Sequence, residues 1–448
     1  MACGREAADH PNPGEQMSKK TRGVVAFVAL CGLSLFLLNC GSNVNRSSGL
    51  LYVLSQGSSA VSSYSINLTS GGLSLINSNA STCPTAPCGL PESILLDPER
   101  SVAFVLDQGA PDPDLTHVPP QALPPAIYGY TVNSDGSLSA PGSPVTLSQP
   151  ADSDTAVAMV RDPAGKFLFV VNQGTIPSPA GCPRDPDPNK IPPGNDACPS
   201  LSVFTMQSGS TSLSLVGGKP IRLGRIPTSI AAINTAAQTL LYITSNKDLS
   251  GNNNDNTVSQ YSVDTSGNVT ELPGSPYATA SNPSAVVAVT TSPIGGAGGL
   301  FLYVTNVTTN SVSVYQVCTV QSVTCTQQDA TNLTLLPVGT PANAGSNPVA
   351  MVADPTSKFL YVVSENSSQV FGFGINATQG TLNALNPANL NTGSHPIAIA
   401  MHSSGKFLFV SNNGSNNVSA FAVDTTSGSM SSPTTVTNPG QPAGLVSK

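Results

Sequence analysis

A short run of aromatic and aliphatic residues recurs along most of the chain and forms the strongest pattern in the sequence. Seven copies occur, at Leu51–Val53, Phe104–Val105, Phe167–Val170, Leu241–Ile243, Phe301–Val304, Phe359–Val362 and Phe407–Val410. A second run follows each copy, centred on Tyr64, Tyr130, Phe204, Tyr261, Tyr315, Phe373 and Phe421. Within one of these, Val312–Val317 alternates apolar and polar residues, as expected of a strand with one buried face. The pattern therefore predicts seven repeated units built on paired strands.

Each unit contains two further predicted strands. One is short and follows a turn of Asp or Asn with Gly, as in Asn133–Gly136 and Asp264–Gly267. The other precedes the aromatic run and begins near a proline in five units, with Ala156 in that place in another: Pro91, Pro227, Pro283, Pro348 and Pro396. Four antiparallel strands in each of seven units predict an all-β fold, a seven-bladed β-propeller, because radial packing of blades leaves few exposed sheet edges.

The two ends of the repeated region complement each other. The first unit lacks its proline-led strand, because the pattern opens at Leu50. The last unit is followed by a spare proline-led stretch, Gln441–Val446. We therefore expect residues 50–448 to form one propeller in which the C-terminal strand completes the first blade.

The N-terminal segment has the pattern of an export signal, which does not contribute to the fold. Basic residues precede the apolar run Gly23–Leu38, whose 16 residues are short for a membrane span of about 20. The run ends in Leu37-Leu38-Asn39-Cys40, which resembles a bacterial lipobox, although Asn39 replaces the usual small residue. We expect a signal segment at 1–39, with translation starting at Met17, and a linker at 40–49 lipidated on Cys40. An uncleaved N-terminal anchor is the alternative.

The remaining cysteines after Cys40 support export to an oxidising compartment. They form three couples that are close in sequence: Cys83 and Cys88, Cys182 and Cys198, Cys318 and Cys325. Each couple lies inside an insertion between predicted strands, so local disulfides are expected. A zinc site is the alternative, but no C-x2-C spacing occurs. Together with the lipobox, these cysteines place the protein in the cell envelope, in the periplasm or at the cell surface.

The composition excludes one class of partner and limits another. Only 9% of residues are charged and the net charge is −7, whereas a nucleic-acid partner would need a basic stripe. The chain contains no Trp, so stacking platforms for sugars are scarce. We expect a monomer without a cofactor that contacts the membrane through the lipid on Cys40. Its other partner would be an envelope protein, a polymer or a small polar ligand.

The repeated phrases resemble the YVTN-type repeats of the lactonase-like seven-bladed β-propellers over nearly all of residues 50–446. The resemblance implies the propeller fold and suggests lactone hydrolysis of the 6-phosphogluconolactonase type. Members of that family place His, Glu and Arg just after the proline-like start of particular inner strands. The first positions after that start are here Glu92, Val157, Thr228, Ser284, Val349, Ile397 and Ala443. Only Glu92 is ionisable, and a lone Glu lacks a partner group for acid–base catalysis.

Candidate site residues flank the starts of these inner strands, where the mouth of a central channel is expected. They are Glu92, Arg225, Asn282, Asn347, His395 and Gln441. This ring would suit a small polar ligand, and a hydrated pore without a binding role is the alternative. A calcium site at the loop with Asp248 and Asp255 is a weaker hypothesis, since the spacing does not match an EF-hand.

Long insertions lie mostly on one predicted face, at 106–126, 171–200 and 245–256. Long loops on a rigid scaffold are frequent binding sites. The sequence therefore favours an envelope-anchored binding or interaction module. The alternatives are a lactonase-like hydrolase rearranged around Glu92, His395 and Arg225, and a rigid scaffold.

Overall fold

The computed structural model describes residues 48–448, apart from 83–88, 98, 100, 110–123, 148–154, 175–197, 208, 219, 254, 293–297, 321, 323 and 439. Cys40, Cys83, Cys88 and Cys182 lie outside the described residues, as do the signal segment and most of the predicted insertions. Among the described residues, no helix is long and apolar enough to cross a membrane.

The strands follow the predicted repeat in seven antiparallel sheets. Blade 1 contains β1 (Ser48–Ser55), β2 (Ala60–Asn67) and β3 (Leu73–Ser81). Blade 2 contains β4 (Pro91–Asp97), β5 (Val102–Asp107), β6 (Ala126–Thr131) and β7 (Val145–Thr146). Blade 3 contains β8 (Ala156–Arg161), β9 (Phe167–Asn172), β10 (Ser200–Met206), β11 (Leu213–Leu215), a 3-10 turn at Val216–Gly218 and β12 (Ile221–Arg222).

The second half of the chain continues the same order. Blade 4 contains β13 (Ile226–Asn234), β14 (Thr239–Lys247), β15 (Thr257–Val263), β16 (Val269–Glu271) and β17 (Tyr277–Ala278). Blade 5 contains β18 (Pro283–Thr290), β19 (Leu300–Asn306), β20 (Ser311–Val317), the helix α1 (Gln327–Asn332), β21 (Leu335–Pro337) and β22 (Ala342–Asn343). Blade 6 contains β23 (Pro348–Ala353), β24 (Phe359–Ser364), β25 (Gln369–Ile375) and β26 (Leu382–Asn391). Blade 7 contains β27 (Pro396–Met401), β28 (Phe407–Asn412), β29 (Asn417–Ala422) and β30 (Thr434–Thr437), and β31 (Pro442–Ser447) follows.

The C-terminal strand closes the ring as predicted. β31 pairs antiparallel with β1, with Tyr52 opposite Val446, so blade 1 has the order β3-β2-β1-β31. Successive inner strands (β31, β4, β8, β13, β18, β23 and β27) contact one another in a closed circle. The seven-bladed propeller is thus confirmed. In blades 3, 4 and 5 the outer strand is divided into two short pieces instead of one.

The hydrophobic core is divided among the junctions between blades. Seven apolar clusters occur among the described residues, and each draws on two neighbouring blades. The cluster between blades 4 and 5, for example, joins Tyr242 and Val258 to Leu302 and Tyr315. Every second residue of the facing strands in two neighbouring blades points into the junction between them. The period-2 pattern of the sequence therefore indicates which residues pack between blades.

Aromatic side chains of one blade also contact the glycine-containing turn that follows the second strand of the aromatic pair in the next blade. The hydroxyl groups of Tyr303 and Tyr361 donate to the carbonyl oxygens of Gly380 and Gly428 at 2.8 and 2.7 Å. Gly380 has a φ of +72° and lies against the ring of Phe301, where a Cβ atom would overlap the ring. The turn glycine and the aromatic run therefore form one repeated contact that links adjacent blades.

Candidate functional site

The channel mouth is the end of the propeller at which the inner strands begin. Asn282, Asn347, His395 and Gln441 each precede the first proline of an inner strand and have positive φ angles of 61, 59, 49 and 47°. Asn and His adopt this left-handed backbone more readily than most residues, whereas Gln adopts it at some cost. The shared conformation puts these four predicted residues in equivalent positions around the mouth.

A second ring of polar residues was missed by the sequence analysis. In each blade the ring residue follows the strand residue that pairs with the inner-strand proline or its equivalent. Six of the seven carry an amide or a carboxylate: Gln56, Gln108, Gln173, Asn246 (still within β14), Glu365 and Asn413. Val307 occupies the seventh position. The register places them beside the inner-strand prolines, since the preceding residue pairs with the proline or its equivalent. The recurrence of an amide or carboxylate shortly after the aromatic run of each unit is the sequence feature that could have predicted them.

Most contacts of this second ring are structural. In blades 1, 3 and 7 the side-chain amides donate to the carbonyl of the proline that opens the next blade's inner strand. The pairs are Gln56 with Pro91 at 3.3 Å, Gln173 with Pro227 at 3.0 Å and Asn413 with Pro442 at 3.4 Å. These amides hold adjacent blades together at the mouth.

Blade 2 departs from this arrangement and contains a carboxyl group. Gln108 donates its amide to Oε2 of Glu92 at 3.1 Å, within its own blade. Glu92 lies one residue after Pro91, and burial raises its pKa from 4.5 to about 7. The pKa shift follows from desolvation, which disfavours the charged carboxylate. A carboxyl group with a pKa near neutrality can accept or donate a proton under ordinary conditions.

Blade 6 also departs and combines two predicted residues with an unpredicted one. Glu365 accepts a hydrogen bond from the side-chain amide of Asn347 at 2.8 Å, and its other oxygen lies 3.3 Å from Nδ1 of His395. The side chain of His395 is 61% exposed and that of Glu365 is 27% exposed. The structure thus brings Asn347 and His395 together through Glu365, at the junction of blades 6 and 7.

Arg225 is engaged in an ion pair. Its guanidinium lies 2.5 Å from Oδ2 of Asp255, which is 8% exposed, and Oδ1 of Asp255 accepts from Thr257. Asp248 accepts hydrogen bonds from the backbone of Ser250 and Asn252, in a loop turn. No group of three or more His, Cys, Asp or Glu side chains suited to a metal occurs in the described part of the chain. The two carboxylates of the calcium hypothesis therefore have protein partners.

The remaining predicted residues contribute mainly to the frame of the mouth. Asn282 accepts from the side chain of Asn246 at 2.7 Å, and its backbone N–H donates to Asn256. The backbone N–H of Gln441 donates to Asn416 at 2.7 Å. These contacts fix the left-handed residues in place.

One predicted disulfide is present among the described residues and another is half described. Cys318 and Cys325 are bonded, with their Cα atoms 5.7 Å apart, in the blade 5 insertion that also contains α1. Cys198 is also disulfide-bonded and is buried, at 2% exposure. The Cys318–Cys325 prediction is confirmed.

Comparison with known proteins identifies the class. The family model described as lactonase, seven-bladed β-propeller, matches residues 257–386 and 323–445. The structure of a putative 6-phosphogluconolactonase from Bacteroides fragilis superposes with a TM-score of 0.62 at 14% identity, covering 91% of this chain and 100% of that one. A periplasmic gluconolactonase from Pseudomonas aeruginosa gives 0.62 at 17% identity, covering 89% and 98%. A search of curated proteins found no match.

The chain is therefore a seven-bladed β-propeller similar in fold to the lactonases of this architecture. Its second half matches the lactonase family model, which confirms the resemblance predicted from the YVTN-type phrases. At these identities the solved structures show the shared fold, and the similarity of activity is a separate question.

Proposed function

We propose that the channel mouth binds a small polar ligand rich in hydroxyl groups, of the sugar or sugar-lactone type. The observation that carries this proposal is that Gln108 and Glu365 do not bond the proline carbonyl that Gln56, Gln173 and Asn413 bond at equivalent positions. In blades 2 and 6 the residues at these positions, Gln108 and Glu365, contact the side chains of Glu92 and His395 instead of a proline carbonyl.

The chemistry of these groups suits a hydroxylated ligand. A carboxylate accepts hydrogen bonds only, and an imidazole nitrogen without a proton also accepts, so both complement hydroxyl donors. Arg225 already pairs with Asp255 at 2.5 Å, which reduces its attraction for a phosphate. The scarcity of stacking platforms points to recognition by hydrogen bonds. The gluconolactonase named among the structural neighbours supports the same ligand class.

Binding can be measured by titrating the purified full-length chain with D-glucono-1,5-lactone and with D-glucose in a calorimeter. We expect Glu92→Gln and Glu365→Gln each to weaken binding about threefold to tenfold, because one charged acceptor is lost. Glu99→Gln is the matched control, since Glu99 is exposed at the opposite end of β4. Binding unchanged by both mouth variants would overturn the proposal.

Hydrolysis of a lactone is the second candidate, favoured by the pKa of about 7 at Glu92. Glu92 would take a proton from water as the water oxygen adds to the lactone carbonyl carbon. It would then return the proton to the ring oxygen as the ring C–O bond breaks, giving the hydroxy acid. Acid release from D-glucono-1,5-lactone above the spontaneous rate, abolished by Glu92→Gln and retained by Glu99→Gln, would establish this activity. No release above the spontaneous rate would leave a binding protein.

The location and partners form a further part of the proposal. We propose a monomer held in the cell envelope by a lipid on Cys40, with the insertion-rich face presented to an envelope protein or polymer. Labelling cells with an alkyne fatty acid should mark the wild type and fail to mark Cys40→Ala. Deletion of residues 171–200 without loss of any crosslinked partner would count against that face.

A further inference from the structure

His395 is held in place by the turn that follows it in blade 7. Its backbone carbonyl accepts from the N–H of Asn413 at 2.9 Å, and its φ of 49° is left-handed. Gly414 lies against the ring, because a Cβ atom there would be 2.8 Å from Cδ2 of His395. The backbone of His395 is therefore fixed by this turn, and Gly414 lies against one edge of its exposed ring.

Glu365 is held from the opposite side by blade 6. Its backbone N–H donates to the carbonyl of Asn347 at 2.9 Å, and its Oε2 accepts from the Asn347 amide at 2.8 Å. These two contacts leave Oε1 facing Nδ1 of His395 at 3.3 Å across the junction between blades. Two elements that are each fixed separately therefore meet through one carboxylate–imidazole contact.

We infer that Glu365 is a positioning residue that keeps the proton of neutral His395 on Nδ1 and leaves Nε2 as a hydrogen-bond acceptor at the channel mouth. A carboxylate has no proton to donate, so the nitrogen that faces it carries the hydrogen. Nε2 then has a free lone pair, and among the described residues no hydrogen bond to Nε2 is found. Nε2 accepts a hydrogen bond from a ligand hydroxyl group; this last step rests on the proposed function, whereas the position of the proton does not.

The proton position can be read directly by NMR. The sequence contains four His residues, so ¹⁵N-histidine labelling of the full-length chain gives few ring signals. His395→Asn assigns the signal of His395, and Asn is suited to this backbone because Asn282 and Asn347 adopt it in equivalent positions. In long-range ¹H–¹⁵N spectra recorded at pH values high enough that the His395 ring signals no longer change with pH, we expect His395 to show protonated Nδ1 and unprotonated Nε2.

The decisive variant is Glu365→Val, which removes the acceptor. Val307 occupies the equivalent position in blade 5, so valine is compatible with this site. We expect a shift of the His395 signals toward the tautomer with the proton on Nε2, while Asn366→Ala, an exposed neighbour, leaves them unchanged. Protonated Nε2 in the wild type, or identical spectra in Glu365→Val, would overturn the positioning role.

Titration with D-glucose tests the ligand step separately. We expect the Nε2 signal of His395 to move on addition of D-glucose, and the apparent affinity to fall about threefold or more in Glu365→Val. If the tautomer is as expected but the sugar leaves the signal unchanged, the ligand step is wrong and the positioning role stands.

Discussion

Replacing Glu92 with Gln should stabilise the propeller at neutral and alkaline pH. The substitution removes the charge of a partly buried carboxyl group and keeps an oxygen that can accept from the amide of Gln108. Burial raises the pKa of Glu92 from 4.5 to about 7, so the folded protein binds this proton more tightly than the unfolded chain. Between these pH values the folded state holds more protons, and its stability therefore falls as pH rises.

The size of the effect follows from the same pKa values. Above pH 7, a displacement from 4.5 to about 7 corresponds to about 3 kcal/mol of unfolding free energy. Below pH 4.5 the group is neutral in both states, so the wild type and Glu92→Gln should have equal stability. The gain from the substitution should appear between these limits and reach a plateau of about 3 kcal/mol.

Urea unfolding of both proteins at several values between about pH 4 and 9 would measure this gain. Glu99→Gln is the control, since Glu99 is an exposed carboxyl group of the same blade and should give a difference near zero throughout. A constant offset between wild type and Glu92→Gln across the range, or a gain that is largest in acid, would refute the reasoning.

Three other perturbations test the fold. Removing Gly440–Lys448 deletes β31 and leaves β1 without its inner neighbour, so the cooperative thermal transition should drop sharply or disappear; an unchanged transition would contradict ring closure. Gly380→Ala should cost about 2–4 kcal/mol in urea unfolding, because its Cβ would overlap Phe301, whereas Gly209→Ala, at a similar φ but in open space, should cost about 1 kcal/mol; equal losses would exclude the packing contact. Cys318→Ser should destabilise the blade 5 insertion by about 2 kcal/mol, seen as faster amide exchange there with the other blades unchanged; uniform loss across all blades would refute a local role.

Much of the candidate site could be predicted from the sequence, because aligning the repeated units shows which residues occupy equivalent places in each blade. The residues before four of the inner-strand prolines share a left-handed backbone, and Asn347 and His395 are two of them. Glu365 was missed, since it lies at the end of an aromatic strand and resembles a loop residue in sequence. Its role depends on its carboxylate reaching both Asn347 and His395, and 30 residues separate it from His395.

The sequence by itself determined the number of blades, the order of strands within them and the closing strand. This was possible because each blade repeats the same period-2 pattern and the two chain ends are complementary. Only the tertiary structure decided which polar residues bond the next blade's proline carbonyl and which bond other side chains at the mouth. Gln56 and Gln108 are the same residue type in equivalent positions, yet one bonds a proline carbonyl of the next blade and the other bonds Glu92. That choice depends on side-chain geometry across the blade junctions, and periodicity along the chain carries no information about it.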